Sequence, residues 1–129
     1  MSDDHSQASG PADSAEQAPA EAMPTPPPGP LFVQIELQAR PGRTDAAERA
    51  LEKIVAPTRA NPDCLEFRVL RYRDDPRAFT LLEHWTSMEA TDVHGESDYM
   101  AEYMAAREEN FGVLSVAFIH ELLPAAPAA

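Results

Sequence analysis

The hydrophobic patterning of this chain predicts an α+β fold with elements in the order β-α-β-β-α-β. Three observations carry that expectation. Four short segments alternate apolar and polar residues, as half-buried strands do. Two stretches between them repeat apolar residues every three to four positions, as helices do. Pro, Gly and Asp punctuate the joins.

The elements follow in order. In Leu31 to Ala39, Leu31, Val33, Ile35 and Leu37 alternate with Phe32, Gln34, Glu36 and Gln38, and Pro41-Gly42 ends the strand. Thr44 is the expected N-cap of the first helix, with Asp45 and Glu48 in a first turn whose exposed N–H groups favour carboxylates. Ala47, Leu51, Ile54 and Val55 share one face of it, and Pro57 is expected to kink or loosen it before Asn61-Pro62. Cys64 to Arg73 alternates again, with Leu65, Phe67 and Val69 on one side and Glu66, Arg68 and Tyr72 on the other. The turn at Asp74-Asp75-Pro76-Arg77 leads to a third strand, Ala78 to Trp85, whose Phe79, Leu81, Glu83 and Trp85 share a face. Thr86-x-x-Glu89 matches a capping box, so a second helix begins directly after Trp85, and Gly95 behind His94 keeps it short. Ser97 is the expected cap of a further helical piece on which Met100, Tyr103 and Met104 line up; Val113 to Leu123 is the last strand.

This order is the ferredoxin-like arrangement, an antiparallel sheet with helices on one face. The opposite face still carries apolar side chains, and a bare patch of that size is unusual on a monomer. Pairing of two sheets about a two-fold axis would bury it, so a homodimer is expected.

Composition sets the limits. At 129 residues the chain holds one ordinary domain. Residues 1–30 contain seven of the thirteen prolines, five acids and no Lys or Arg, and they are expected to form a disordered tail before a domain at 31–123; residues 124–129 read as a flexible end. The remainder after residue 30 has ten basic against seventeen acidic residues, a net −7, which disfavours nucleic acid and anionic membrane as partners. The one cysteine, Cys64, cannot close an internal disulfide and suits a reducing, cytoplasmic setting. No basic-apolar leader opens the chain and no apolar run approaches a membrane span. His5, His84, His94 and His120 show no metal-ligand spacing, and five scattered glycines form no phosphate-cradling loop, so no metal or other cofactor is expected.

The residues that bear chemistry cluster after the third strand. Trp85 is the single tryptophan, either core filler or a flat wall for an aromatic ligand. Glu83 falls on the apolar face between Leu81 and Trp85, where a carboxylate either finds a partner such as Arg68 or Arg71 or holds a proton. His94 closes a short helix, as a helix-end residue or as a general base titrating near neutrality.

Glu83-x-Trp85 running through Thr86-x-x-Glu89 to His94, together with Pro57-Thr58-Arg59-Ala60-Asn61-Pro62-Asp63-Cys64-Leu65-Glu66-Phe67-Arg68, resembles the antibiotic biosynthesis monooxygenase (ABM) domain family across residues 31–123. The resemblance implies a dimeric α+β barrel, a pocket lined by the tryptophan and the histidine, and in several members oxidation of quinols or polycyclic phenols without metal or flavin. Other branches degrade haem or isomerise. Tyr99 stands where the family often has a second histidine or aromatic residue, Asp98 where proline is common, and Asp63 where glycine usually precedes Cys64. Gln34 is the nearest match to the first-strand asparagine of the haem-degrading branch and does not match it.

The function expected is therefore a cofactor-independent monooxygenase acting on an electron-rich phenol, hydroquinone or anthrone with molecular oxygen. Triplet oxygen reacts slowly with closed-shell molecules until loss of a proton makes the substrate a good electron donor. His94 is the expected base, Tyr99 or Arg68 the group stabilising the anion, and Trp85 the stacking surface. Glu83, Gln34, Met100 and Tyr103 are further candidates for lining the pocket. The competing expectations are a non-catalytic small-molecule-binding or regulatory barrel, and an isomerase acting on an enolisable ketone.

Overall fold

The structure is a computed structural model, and it describes residues 25–123. The expectations for residues 1–24 and 124–129 lie outside these residues. Strands β1 (Leu31–Ala39), β2 (Cys64–Tyr72), β3 (Asp75–Trp85) and β4 (Phe111–Ile119) form one antiparallel sheet in the order β2-β3-β1-β4. Helix α1 (Thr44–Arg59) joins β1 to β2, and the chain from β3 to β4 runs through α2 (Met88–Gly95), a 3-10 turn (Asp98–Met100), α3 (Ala101–Ala105) and α4 (Arg107–Asn110). This is the ferredoxin-like α+β order. No helix among the described residues is long and apolar enough to cross a membrane.

The core lies between the sheet and α1. Ala47, Leu51 and Ile54 bury one helical face against Leu37, Phe67, Phe79 and Leu81, and Met100, Tyr103 and Phe111 close the far end. The alternation read in β1 and β3 sets this packing, because residues two apart on a strand face the same side. Pro57 sits in the last full turn of α1, and the helix continues past it to Arg59. The missing N–H removes the one bond that would reach the Lys53 carbonyl, and the helix ends two residues later. The turn into α1 uses Gly42 at φ 77°, a left-handed conformation that suits glycine.

Several local expectations are corrected. Thr44 is the first helical residue and Arg43 the N-cap; Arg43 is tied instead to the Asn110 side chain, its Nη2 lying 2.8 Å from Oδ1. Ser87, not Thr86, caps α2, accepting from the Ala90 N–H at 3.1 Å, while the Thr86 hydroxyl donates to the Asp63 carboxylate. The Ser97 hydroxyl does not cap the next turn either; it donates back to the His94 carbonyl at 2.6 Å. Leu65 is half exposed, because a bulge between Cys64 and Glu66 takes it out of the ladder. Met104 is also exposed, although Met100 and Tyr103 of the same stripe are buried. β4 begins at Phe111 and stops at Ile119, where its partner β1 has begun and no further ladder is available.

The sheet face away from the helices does carry apolar side chains: the ladder places Phe32, Leu70, Leu82 and Ile119 there, interspersed with Gln34, Glu36, Glu66, Arg68, Thr80 and His84. Further uncovered apolar surface follows β4 on the other face. Val113, Val116 and Phe118 lie on the helix side yet stay 43%, 48% and 53% exposed, because the broken helical segment does not reach across this edge strand.

Candidate functional site

Between the sheet and the α2–α4 segment lies a cavity of about 200 Å³. Val33, Ile35, Leu37, Phe67 and Leu81 form its apolar floor, and Val113, Val116 and Phe118 of β4 form one wall. Glu83, His94, Met100, Tyr103 and Arg107 bring the polar and polarisable groups to it.

Glu83 arrives there through strand periodicity. It faces the helices because Leu81 and Trp85 do, and the ladder sets it between Val33 of β1 and Phe67 of β2. The side chain is 4% exposed, and burial pushes its carboxyl above the ordinary value of 4.5. The indole N–H of Trp85 donates to Oε1 at 2.8 Å, which opposes that rise. Among the described residues no cation pairs with Glu83, and Arg68 and Arg71 bind Glu66 and Glu48 instead.

His94 sits one residue from the end of α2. Its carbonyl accepts both the Ser97 N–H and the Ser97 hydroxyl, which fixes the helix end and so the imidazole. The ring is 6% exposed, and desolvation lowers its pKa to about 4. Trp85 packs 4.6 Å away, centroid to centroid. Nδ1 lies 2.6 Å from the Tyr99 hydroxyl, which also accepts from Asn61 Nδ2 at 3.2 Å. That leaves Nε2 as the ring nitrogen with no protein partner among the described residues.

The sequence-derived candidates thus divide. Glu83, His94, Met100 and Tyr103 line the cavity. Burial takes the Tyr103 phenol up to about 12, so it stays protonated. Trp85 is fully buried beneath the site and holds Glu83 and His94 rather than presenting a wall to a ligand. Tyr99 touches His94 from behind. Gln34 and Arg68 are not brought to the cavity: each is one strand position away from an inward residue, which turns it to the opposite sheet face. There Gln34 donates to Glu36 and Arg68 pairs with Glu66.

Two residues escaped the sequence reasoning. Asn61 meets Tyr99 across 38 positions of sequence and carries no local signal. Arg107 did carry one, being the single Lys or Arg after Arg77, and it stands at the cavity with no carboxylate partner among the described residues.

The family profile described as antibiotic biosynthesis monooxygenase matches residues 30–106. Among solved structures, the PA3566 protein of Pseudomonas aeruginosa is 27% identical, with a TM-score of 0.69 over 74% of this chain and 96% of that one. The Rv0793 protein of Mycobacterium tuberculosis is 26% identical, with a TM-score of 0.69 over 75% and 99%. The SO0527 protein of Shewanella oneidensis, at 24% identity and a TM-score of 0.61 over 70% and 86%, shares the fold. No curated protein matches the chain.

Proposed function

Because this chain belongs to the antibiotic biosynthesis monooxygenase family, we propose that it inserts an oxygen atom from molecular oxygen into a small, electron-rich phenol or hydroquinone without metal or flavin. The observation that carries the proposal is the pairing of His94 and Glu83 in one apolar cavity. The chemistry asks for little more. A substrate O–H must be ionised away from bulk water so that the ring can pass electrons to oxygen, and a dry cavity with one proton acceptor and one donor does this. For a hydroquinone with a free ring position, both O–H hydrogens and one ring C–H are lost, one oxygen atom becomes the new hydroxyl of a hydroxyquinone and the other leaves as water; a phenol with a free para position gives a quinone and water by the same balance. The ring supplies all four electrons.

The part of the site enclosed by one chain, about 200 Å³, lies below the ~300–1,000 Å³ of sites for drug-sized ligands and has room for one or two rings, with the β4 side open. Met100 and Tyr103 complete an apolar, polarisable lining for such a ring.

We also propose that the working unit is a homodimer whose contact surface includes β4. Its half-exposed Val116 and Phe118 form a wall of the cavity, so a second copy covering them would also close the site. Oxygen consumption with metal-stripped, flavin-free protein on a panel of one- and two-ring hydroquinones tests the catalytic proposal. Transfer of one labelled atom from ¹⁸O₂ into the product is the expected result.

A further inference from the structure

We infer that Glu83, rather than His94, takes the substrate's proton, and that His94 donates a hydrogen bond from Nε2 to the oxygen left behind, held in that tautomer by Tyr99 and Asn61. The inference rests on the proposed oxidation for its substrate, but its geometry stands independently.

The direction of every hydrogen bond behind His94 is set by a backbone amide. The Asp63 N–H can only donate, and it does so to Asn61 Oδ1 at 2.9 Å. That orients the Asn61 amide, so its Nδ2 faces Tyr99 and donates to the phenol oxygen at 3.2 Å. The phenol oxygen could accept a second bond, but its own proton has no acceptor among the described residues other than His94 Nδ1, 2.6 Å away. Nδ1 therefore accepts, and in the neutral ring the proton sits on Nε2. The ring is kept neutral by its burial, which lowers its pKa to about 4. A neutral imidazole bearing its proton toward the cavity is a donor, suited to an oxyanion rather than to an O–H.

Glu83 has the complementary arrangement. The Trp85 N–H can only donate and occupies Oε1 at 2.8 Å, which leaves Oε2 without a protein partner among the described residues. No cation holds the carboxylate in its charged form, and burial raises its pKa toward the working range of a base. The other titratable groups around the cavity are Tyr103 on α3, Asp92 on α2 and Arg107 at the start of α4, with Cys64 of β2 close enough to feel the Glu83 charge. In the step itself, the substrate O–H bond breaks, its proton forms an O–H with Oε2, and the bonding pair stays on the phenolate oxygen. That oxygen accepts from His94 Nε2–H. No electron leaves the ring until oxygen, the oxidant, reacts.

Two measurements on the full chain test this. The first is ¹⁵N NMR of the histidine rings near neutral pH, with His94 assigned by the signals lost in His94→Gln. Protonated Nε2 beside a hydrogen-bonded, unprotonated Nδ1 is expected, and Tyr99→Phe should mix the tautomers; an Nδ1–H ring in the wild type overturns the inference whether or not the protein turns over. The second is oxygen uptake. Glu83→Gln keeps an oxygen for the Trp85 N–H but cannot take a proton, and should lose about 10²- to 10⁴-fold in kcat with little change in KM. The acid limb of the wild-type pH profile, expected above 4.5, should vanish with it. His94→Gln keeps an N–H donor and should lose clearly less than His94→Ala. An active Glu83→Gln, or a His94→Gln as inactive as His94→Ala, overturns the assignment. Wild-type protein that consumes no oxygen speaks against the proposed oxidation, and the tautomer is then judged by NMR alone.

Discussion

The Tyr99 hydroxyl lies 2.6 Å from His94 Nδ1, five residues away across the break between α2 and the 3-10 turn. The family resemblance implies a second histidine or aromatic residue at this place. Here it is a phenol whose proton has no other acceptor among the described residues, so the pair has a fixed direction. Tyr99→Phe should leave the fold intact and cost about 1 kcal/mol in urea unfolding, the net value of one hydrogen bond. Because the lost bond favours neutral imidazole, the His94 pKa should rise in this variant, readable by NMR titration.

Stability should depend on pH through His94. Its folded pKa of about 4 lies below the ordinary 6.5, so the stabilising contribution is full above pH 6.5 and is lost as pH falls toward 4. The difference between wild type and His94→Gln should therefore shrink or reverse over that window, by on the order of 3 kcal/mol. Glu83 runs the other way: with its pKa raised, its contribution is full below 4.5 and is lost as pH rises. A pH-independent difference between the two proteins would contradict the burial assigned to His94.

Trp85→Phe should destabilise by more than its lost volume suggests. It removes the N–H that satisfies Glu83 Oε1 inside the fold, and hydrogen bonds to charged groups are worth about 1.5–3 kcal/mol. The Glu83 pKa should climb further at the same time. Equal stability in denaturant melts would mean that the indole acts only as filler.

Assembly is expected to depend on β4. Phe118→Asp and Val116→Asp place charge on the half-exposed wall beside the cavity. Light scattering should give a mass near twice 14.1 kDa for the wild type and a lower mass for these variants. A monodisperse wild-type monomer at micromolar concentration would remove the dimer from the account.

Strand periodicity made most of the fold readable, and with it the inward position of Glu83. Alternation in Phe79, Leu81, Glu83 and Trp85 leaves the carboxylate no outward option. The same rule places Gln34 and Arg68 on the far face, since Val33, Ile35, Phe67 and Val69 are their inward neighbours. What alternation cannot convey is contact across long separations. The Asn61–Tyr99 bond spans 38 residues, and its meaning for His94 depends on the Asp63 N–H, which no side-chain pattern records. The cap of α2 departs from the sequence expectation for a local reason: Thr86 and Ser87 are both competent caps, and the strand pairing that ties Thr86 to Asp63 decides between them.

The most direct test of the central claim is oxygen uptake by metal-stripped, flavin-free protein given a one- or two-ring hydroquinone under ¹⁸O₂. The account predicts turnover with one labelled oxygen atom per product molecule, reduced about 10²- to 10³-fold in His94→Ala, the usual loss on removing one donor to an oxyanion. Dependence on added metal, label found only in peroxide, or undiminished activity in His94→Ala would contradict it. Ligand binding without oxygen uptake would put a binding protein in its place.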